Sequence, residues 1–436
     1  MRVTVIGCGY LGATHAAGMA ELGYDVLGVE LDDAKTAALS AGRVPFYEPG
    51  LEDLLARHVS AGNLRFTTSY EEAGAFGDVH FVCVGTPQQP SGLAADMSQV
   101  EDAVRSLAPH VRGDALVVGK STVPVGTAER LTGLLAEGAP AAAEPRLAWN
   151  PEFLREGFAI KDTLAPDRLV FGVSEPSAEA TLREVYAKVL ANGTPCVVTD
   201  LATSELVKVS ANAFLATKIS FINAIAEVCE VAGADVTDLA DALGHDARIG
   251  RKFLNAGIGF GGGCLPKDIR AFQHRAAELG VDHLTSLMRE VDAINMHRRD
   301  RVLEITRAMV GDLSRARIAV LGAAFKPDSD DVRDSPALHV AGQLHLAGAQ
   351  VTVYDPKANH TARGRFPTLD YVDSTLAACD QADVVLHLTE WPEFRSLAPA
   401  DLDDVVRRRQ IIDGRNLLDA APWRAAGWTF RSMGRR

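Results

Sequence analysis

The chain has no C-x-x-C pair and no regular cysteine spacing; its six cysteines, at 8, 83, 196, 229, 264 and 379, are scattered through 436 residues. That argues against a disulfide framework and against a structural zinc site, and it fits a reducing compartment. No run of about 18 apolar residues occurs, so no membrane-spanning helix is expected. No charged segment followed by an apolar one precedes the first strand-like residues, so no secretory leader is expected. Nor is there an excess of basic residues. With 44 Lys and Arg against 57 Asp and Glu the net charge is −13, which disfavours general affinity for nucleic acid or anionic membrane. It leaves room for a local phosphate pocket. These absences describe a cytoplasmic protein, and 47% apolar with 23% charged residues is ordinary globular composition. A chain of this length can build two or three cores.

The most informative segment is Gly259-Phe260-Gly261-Gly262-Gly263-Cys264-Leu265-Pro266-Lys267-Asp268. The glycines clear side chains from around Cys264 and let the backbone approach whatever the thiol attacks. Lys267 can stabilise the thiolate, and Asp268 can move a proton or orient water. The plainer alternative is a glycine-rich turn with an incidental thiol. The other five cysteines lie in apolar surroundings and read as small core or turn residues.

At the other end, the β-branched run 2–6 leads into Gly7-Cys8-Gly9-Tyr10-Leu11-Gly12, a helical stretch at 15–22, and a strand at 25–29 ending in Glu30. Strand, G-x-G-x-x-G, helix, strand and terminal acid form the dinucleotide fingerprint in its full context. Gly7 makes the turn, Gly9 lets a pyrophosphate approach, and Gly12 lets helix and strand pack closely. The helix N-terminus then offers its partial positive charge to the phosphates. Glu30 can accept hydrogen bonds from ribose hydroxyls and would repel a 2′-phosphate. Leu31-Asp32-Asp33 supplies no arginine for one, so NAD is favoured over NADP.

Strands and helices alternate to about residue 200, with strands expected at 79–84, 115–119, 147–149 and 169–173 and helices at 34–40 and 97–107. That is the pattern of a mostly parallel, doubly wound sheet. Three polar loops, 84–87, 120–127 and 150–156, follow strands and should therefore line the crevice at the strands' carboxyl ends. Residues 203–232 are helical and free of proline, and a second long helix is expected at 284–309. A second lobe opens near Arg317, with a strand at 318–322, a helix at 336–346 and a strand at 350–354. Its turn, Gly322-Ala323-Ala324-Phe325, lacks the three-glycine spacing and does not suit close pyrophosphate approach. The following loop carries Lys326, Asp328, Asp330, Asp331 and Arg333, which suits a different phosphorylated ligand; a purely structural lobe is the alternative. The expected architecture is α/β: two Rossmann-like, doubly wound lobes joined by a long central helix and a helical middle domain, divided 1–200, 201–312 and 313–436.

Lys208 and Asn212 are spaced i, i+4 and share one helix face, where an ammonium and an amide can stabilise an oxyanion. Spacing alone favours the plainer account, a solvated lysine and an interhelical asparagine. Glu152 and Glu156 follow an Asn-Pro turn and are either crevice acids or surface charge. Thr122 can hold a water or cap a turn. Arg431, Arg435 and Arg436 read as a solvated tail.

Taken in order, Gly7 to Gly12, Tyr47-Glu48-Pro49-Gly50-Leu51, Val84-Gly85-Thr86-Pro87, Ser121-Thr122-Val123-Pro124-Val125-Gly126-Thr127 and Asn150-Pro151-Glu152-Phe153-Leu154-Arg155-Glu156-Gly157 form one series of motifs. Lys208 with Asn212 to Ala216, the Cys264 segment, Phe325-Lys326-Pro327 with Arg333, and Thr389-Glu390-Trp391 complete it. Across essentially the whole chain this series resembles the nucleotide-sugar 6-dehydrogenases, the UDP-glucose/GDP-mannose dehydrogenase family.

The resemblance implies a four-electron oxidation of a sugar C6 alcohol to a carboxylate with two NAD, through a thiohemiacetal and then a thioester on Cys264. The glucose branch is the nearer match, implying UDP-glucose as substrate and UDP-glucuronate as product. dTDP-glucose, one methyl different in its base, stays an alternative, as do GDP-mannose and UDP-N-acetylhexosamines. A non-catalytic NAD or nucleotide-sugar sensor is the remote one. By resemblance, Lys208 and Asn212 hold the oxyanion, and Asp268, Glu152 and Thr122 position or deprotonate water. Gly7, Gly9, Tyr10, Leu11, Gly12, Glu30, Lys35, Thr86, Thr122, Glu156, Lys267 and Arg333 face NAD. Glu152, Phe153, Leu154, Lys208, Asn212, Phe253, Gly257, Gly259, Phe260, Phe325 and Lys326 face the nucleotide sugar. Arg248 reaches the substrate of a partner subunit, which implies a homodimer or larger oligomer, and no metal is implied. Gly263 stands where the family usually has serine, and Glu30 where aspartate is commoner. The loop Gln88-Gln89-Pro90-Ser91-Gly92 lacks the acidic run often found there.

Overall fold

Short apolar, β-branched runs become buried strands, and the longer segments between them become helices that cover both sheet faces. The computed structural model describes residues 1–435; Arg436, the end of the expected tail, lies outside the described residues. The first compact unit, Met1–Ala211, holds β1 (Arg2–Ile6), β2 (Asp25–Val29), β3 (Leu64–Thr67), β4 (Val79–Val82), β5 (Leu116–Gly119), β6 (Arg146–Trp149), β7 (Leu169–Val173) and β8 (Cys196–Thr199). They are ordered β3-β2-β1-β4-β5-β6-β7-β8. Each neighbouring pair is parallel except β6 with β7, so the last two strands run against the first six. The order reverses between β1 and β4, which puts the switch point of the sheet at the glycine turn after β1.

Two local expectations shift. The first helix spans Tyr10–Glu21 and so starts on the glycine turn itself, five residues before the expected 15. Its small residues Gly12, Ala13, Ala16 and Ala17 are buried against the sheet and give no apolar stripe to read. The strand expected at 79–84 ends at Val82, where the chain turns out of the sheet toward the loop carrying Thr86.

The helix Leu201–Ala232 carries the chain from the first unit into the second. The second unit continues with helices Val236–Gly244, Leu265–Glu278 and Asp282–Val310. Its sheet is formed by β9 (Arg317–Leu321), β10 (Gln350–Tyr354), β11 (Asp370–Tyr371), β12 (Val384–His387), β13 (Gln410–Asp413) and β14 (Thr429–Ser432). The order β11-β10-β9-β12-β13-β14 is parallel throughout. The chain is thus α/β with two Rossmann-like sheets and a long helix between them. Arg431 is exposed, but Arg435 is not a solvated tail residue: its Nε lies 3.2 Å from Asp235 Oδ2, and the Gly434 carbonyl accepts the Val236 N–H at 2.9 Å. No helix of the described residues is long and apolar enough to cross a membrane.

Candidate functional site

In the first unit the site begins at the turn between β1 and its helix. Gly7 adopts φ +85°, and a Cβ there would meet the Val84 backbone at 2.9 Å, so the turn needs glycine. A Cβ on Gly12 would fall 1.8 Å from the Gly7 carbonyl oxygen, which is the close helix–turn packing expected of the third glycine. Gly9 is different. Nothing lies within 4 Å of its Cβ position, the helix has no side-chain cap, and no acid sits in its first turn. The first N–H groups of the helix are therefore open to an anion. Glu30 ends β2, with its Oε1 accepting the Asp32 N–H at 3.1 Å and the carboxylate only partly covered. An open cradle at a helix N-terminus beside a strand-end acid fits the pyrophosphate and ribose of NAD.

Around this turn the loops are stitched together. Tyr10 does more than flank the glycines: its hydroxyl donates to Glu48 Oε2, and burial followed by that bond raises its pKa well above the ordinary tyrosine value. Glu48 also accepts the N–H of Gly157 at 2.6 Å and of Ala159 at 2.8 Å. One buried carboxylate thus ties the loop after β6 to the first helix. Thr86 Oγ1 donates to the Thr122 carbonyl at 2.9 Å, and Ser121 Oγ to the Val84 carbonyl at 2.7 Å, so the loops after β4 and β5 hold each other. Glu156 is buried, whereas Lys35 is exposed with its ammonium 4.0 Å from Asp32.

Glu152 accepts the Phe153 and Leu154 N–H groups on Oε1 at 2.7 and 2.9 Å, and its Oε2 lies 3.1 Å from Lys120 Nζ. Burial pulls the Lys120 pKa down, but Glu152 together with Tyr186 and Cys83 outweighs it and leaves the ammonium above the ordinary lysine value. Lys208 Nζ lies 5.3 Å from the centre of the Phe153 ring, and Arg168 stacks on the same ring at 3.8 Å. The structure therefore gathers Glu152, Phe153, Leu154 and Lys208 in one neighbourhood.

In the second unit Cys264 is the N-cap of the helix Leu265–Glu278, exposed, with Pro266 in the first turn. A thiol there gains thiolate character from the helix dipole. Cys8, Cys83, Cys229 and Cys379 are buried, and burial pushes Cys83 and Cys379 each up to about 12. Asp268, one turn after Cys264, accepts Asn212 Nδ2 at 2.7 Å and Lys267 Nζ at 2.5 Å.

The glycines before Cys264 have a use that the sequence did not disclose. A Cβ on Gly261 would sit 2.3 Å from the Asp334 carbonyl oxygen, and one on Gly263 would sit 2.1 Å from the Arg333 guanidinium carbon. Gly262 combines φ +87° with the Phe325 ring 2.8 Å from its Cβ position. They make room for the protein's own loop, residues 325–334, as much as for a ligand. Arg333 lies over Gly263 while paired through two nitrogens with Asp331, so the small residue that replaces the usual serine has a packing cause. Asn295, fully buried, bonds both the N–H and the carbonyl of Phe260, and Arg299 adds a second donor to that carbonyl. Gly257 donates to Asn223 Oδ1 at 2.9 Å. Phe253 is partly exposed at φ +66°, and Lys326 Nζ lies 5.4 Å from the Phe325 ring centre. Arg248 is 90% exposed and paired with Asp246.

The turn after β9 is closed where that after β1 is open. Asp355, buried at the end of β10, accepts the N–H groups of Ala323 and Ala324 at 2.8 and 2.9 Å, and Trp391 Nε1 at 3.1 Å. The strand-end acid fills the anion position itself, which supplies the physical reason this turn does not suit a pyrophosphate.

Sequence reasoning missed Glu48, Lys120, Asp355 and Arg415. Arg415 gathers the carbonyls of Leu388, Gly259 and Phe325 at 2.7, 3.2 and 3.0 Å. Each of the four lies at or near a strand's carboxyl end or in a quoted motif, but a partner tens of residues away leaves no local signal.

Known proteins match along the whole length. Residues 1–190 match the NAD binding domain of the UDP-glucose/GDP-mannose dehydrogenase family, 202–297 its central domain and 319–420 its UDP binding domain. A UDP-glucose 6-dehydrogenase of Rhizobium meliloti is 42% identical over 100% of both chains. One from Bacillus subtilis is 38% identical over 100% of this chain and 98% of its own. The structure of a UDP-glucose dehydrogenase from Pyrobaculum islandicum superposes with a TM-score of 0.92 at 37% identity, covering 100% of this chain and 98% of that one. A UDP-D-ManNAc dehydrogenase from Pyrococcus horikoshii gives 0.88 at 28% identity, covering 100% and 99%.

Proposed function

The chain belongs to the UDP-glucose/GDP-mannose dehydrogenase family, and from that membership we propose that it is an NAD-dependent UDP-glucose 6-dehydrogenase, oxidising UDP-glucose to UDP-glucuronate. The observation that carries the reading is Cys264 at a helix N-terminus with Asp268 and Asn212 bonded one turn away. An enzyme that stopped at the aldehyde would have no use for such a thiol. Within this reading residues 1–200 hold NAD, 201–312 carry the nucleophile, and 313–436 hold the nucleotide.

NAD, when bound, supplies hydride acceptance, one molecule for each two-electron step. The remaining chemistry belongs to the chain. Gly7 makes the turn, Gly9, Leu11 and Gly12 leave backbone N–H groups for the pyrophosphate, and Glu30 accepts from the adenosine ribose. Cys264 Sγ adds to the aldehyde carbon, and the carbonyl oxygen becomes an oxyanion that Lys208 and Asn212 receive. One such donor is typically worth ~3–4 kcal/mol in the transition state. The thioester carbon is then attacked by a water that Asp268, Glu152 and Thr122 orient, with a carboxylate taking its proton and the C–S bond breaking to return the Cys264 thiolate. Phe325, Lys326 and the backbone from Phe253 to Phe260 hold the nucleotide sugar, while Thr86, Glu156, Lys267 and Arg333 face NAD.

The reading extends to a homodimer or larger oligomer. Phe214, Phe221 and Val228, exposed and spaced by seven on one helix face, and Val231, 92% exposed, form an apolar stripe that a second subunit would cover. The exposed Arg248, paired with Asp246, would reach that subunit's substrate. It also extends to a cytoplasmic location, supported by six cysteines without a disulfide.

NADH formed per nucleotide sugar consumed, with UDP-glucose, dTDP-glucose, GDP-mannose and UDP-N-acetylhexosamines in parallel, tests the reading. Two NADH per UDP-glucose and weak turnover of the others are expected, and Cys264→Ser should abolish steady acid release. One NADH per sugar would remove the covalent role of Cys264.

A further inference from the structure

Lys120 is buried to 3% at the carboxyl end of β5, one residue beyond Gly119, which pairs in register with Trp149 of β6. From there its ammonium reaches across to the loop after β6. Nζ lies 3.1 Å from Glu152 Oε2 and 3.0 Å from Asn150 Oδ1, with the Asn150 carbonyl and the Tyr186 hydroxyl each at 3.4 Å. Tyr186 in turn donates to Asn150 Oδ1 at 2.7 Å. The rings of Phe81 and Tyr186 flank the charge at 5.8 and 5.9 Å. The ammonium therefore has a partner for each of its three N–H groups and no freedom to move.

The effect on Glu152 follows from counting lone pairs. Oε1 already accepts two backbone N–H groups, and Oε2 faces Lys120, so the one acceptor position left is on Oε2. Where that position points is fixed by Lys120. We propose that Lys120 is the positioning residue for Glu152, holding its carboxylate with one acceptor lobe aimed outward to orient water. This rests on the reading of Glu152 given above.

Stability alone is a poor reason for the pair. A buried ion pair seldom outperforms apolar residues of the same volume, because desolvating both charges offsets their attraction. Other titratable groups face this cluster from each neighbouring element: Cys83 after β4, His15 on the helix Tyr10–Glu21, and Tyr186. Burial pushes Cys83 and Tyr186 up to about 12 and His15 well below the ordinary histidine value, so all three are neutral near pH 7. Lys208 and Arg168 stack on the Phe153 ring, and Lys120 supplies the ion pair of Glu152 among the described residues.

The test uses the full chain with UDP-glucose and NAD, comparing Lys120→Met, Lys120→Gln and Glu152→Gln in steady state from about pH 6 to 10, beside thermal melting. Both Lys120 variants are expected to fold and to keep KM for UDP-glucose within about threefold, while kcat near neutral pH falls ~10–100-fold. An unchanged kcat, or a change in KM alone, would overturn the assignment. So would failure of both variants to fold, which would make the ammonium a folding determinant. If Glu152→Gln itself keeps the wild-type rate and profile, the role given to Glu152 fails first. If Glu152→Gln is impaired and both Lys120 variants are not, only the present inference fails.

Discussion

Asn212 donates its side-chain N–H to Asp268 Oδ2 at 2.7 Å, while Lys267 holds the other carboxylate oxygen at 2.5 Å. The amide is thereby oriented, and in the proposed reaction its second N–H serves the oxyanion. Removing it should affect the transition state more than substrate binding. Asn212→Ala is expected to lower kcat by ~10²-fold or more with KM for UDP-glucose little changed. Steady-state NADH formation measures both. A variant that raised KM and kept kcat would assign Asn212 to ground-state binding.

Two neighbouring glycines should respond differently. Gly262 is in the left-handed region and faces the Phe325 ring, so Gly262→Ala should cost ~1–3 kcal/mol in urea unfolding. Gly263 faces only the end of the Arg333 side chain, which can swing aside. Gly263→Ser is expected to cost under ~1 kcal/mol while raising KM for NAD severalfold, since the Arg333 proposed to face NAD would be displaced. Equal effects of the two on stability would contradict this account.

His80, buried in β4 and bonded to Thr4 Oγ1 at 2.6 Å, is held down to about 4 by burial, with Asp78 opposing weakly. Unfolded, it titrates near 6.5, so the unfolded chain binds the proton first as the medium is acidified. Its contribution is complete above pH 6.5, declines through the interval down to about 4, and changes no further below that. The full difference corresponds to roughly 3 kcal/mol. Urea unfolding at pH 7 and pH 4.5 should show a loss of this order from His80, and His80→Gln should flatten it. His15, depressed by burial and then by Lys120, acts in the same direction.

Asp355→Ala should strip the turn after β9 of its acceptor and leave the Ala323, Ala324 and Trp391 donors unpaired. The cost is expected at ~3 kcal/mol or more, with KM for NAD unchanged. Differential scanning calorimetry with NAD titration reads both. A large change in KM for NAD would mean that this turn takes part in dinucleotide binding.

The N-terminal fingerprint was legible because it is local: three glycines and an acid act within 24 residues, from Gly7 to Glu30. The Cys264 segment was legible as unusual, but the physical basis of its glycines was not. Asp334, Arg333 and Phe325, which occupy the space those glycines leave, come from 63 to 73 residues further along, and no periodicity connects them. The same holds for Lys120, whose sequence neighbours say nothing of Glu152 or Tyr186. The first helix was placed late because its buried face is glycine and alanine. The two-residue strand β11 is too short for any alternation to register.

The contrast between the two glycine turns also orders events in time. With Asp355 occupying the turn after β9, the described residues offer one dinucleotide berth per chain, yet the proposed reaction removes four electrons. The first NADH must therefore depart, and a fresh NAD arrive, while the half-oxidised sugar stays behind. A thiol that binds the aldehyde covalently keeps that carbon from escaping during the exchange. In the proposed reaction, the closed second turn would give Cys264 the part of a tether as well as that of a nucleophile.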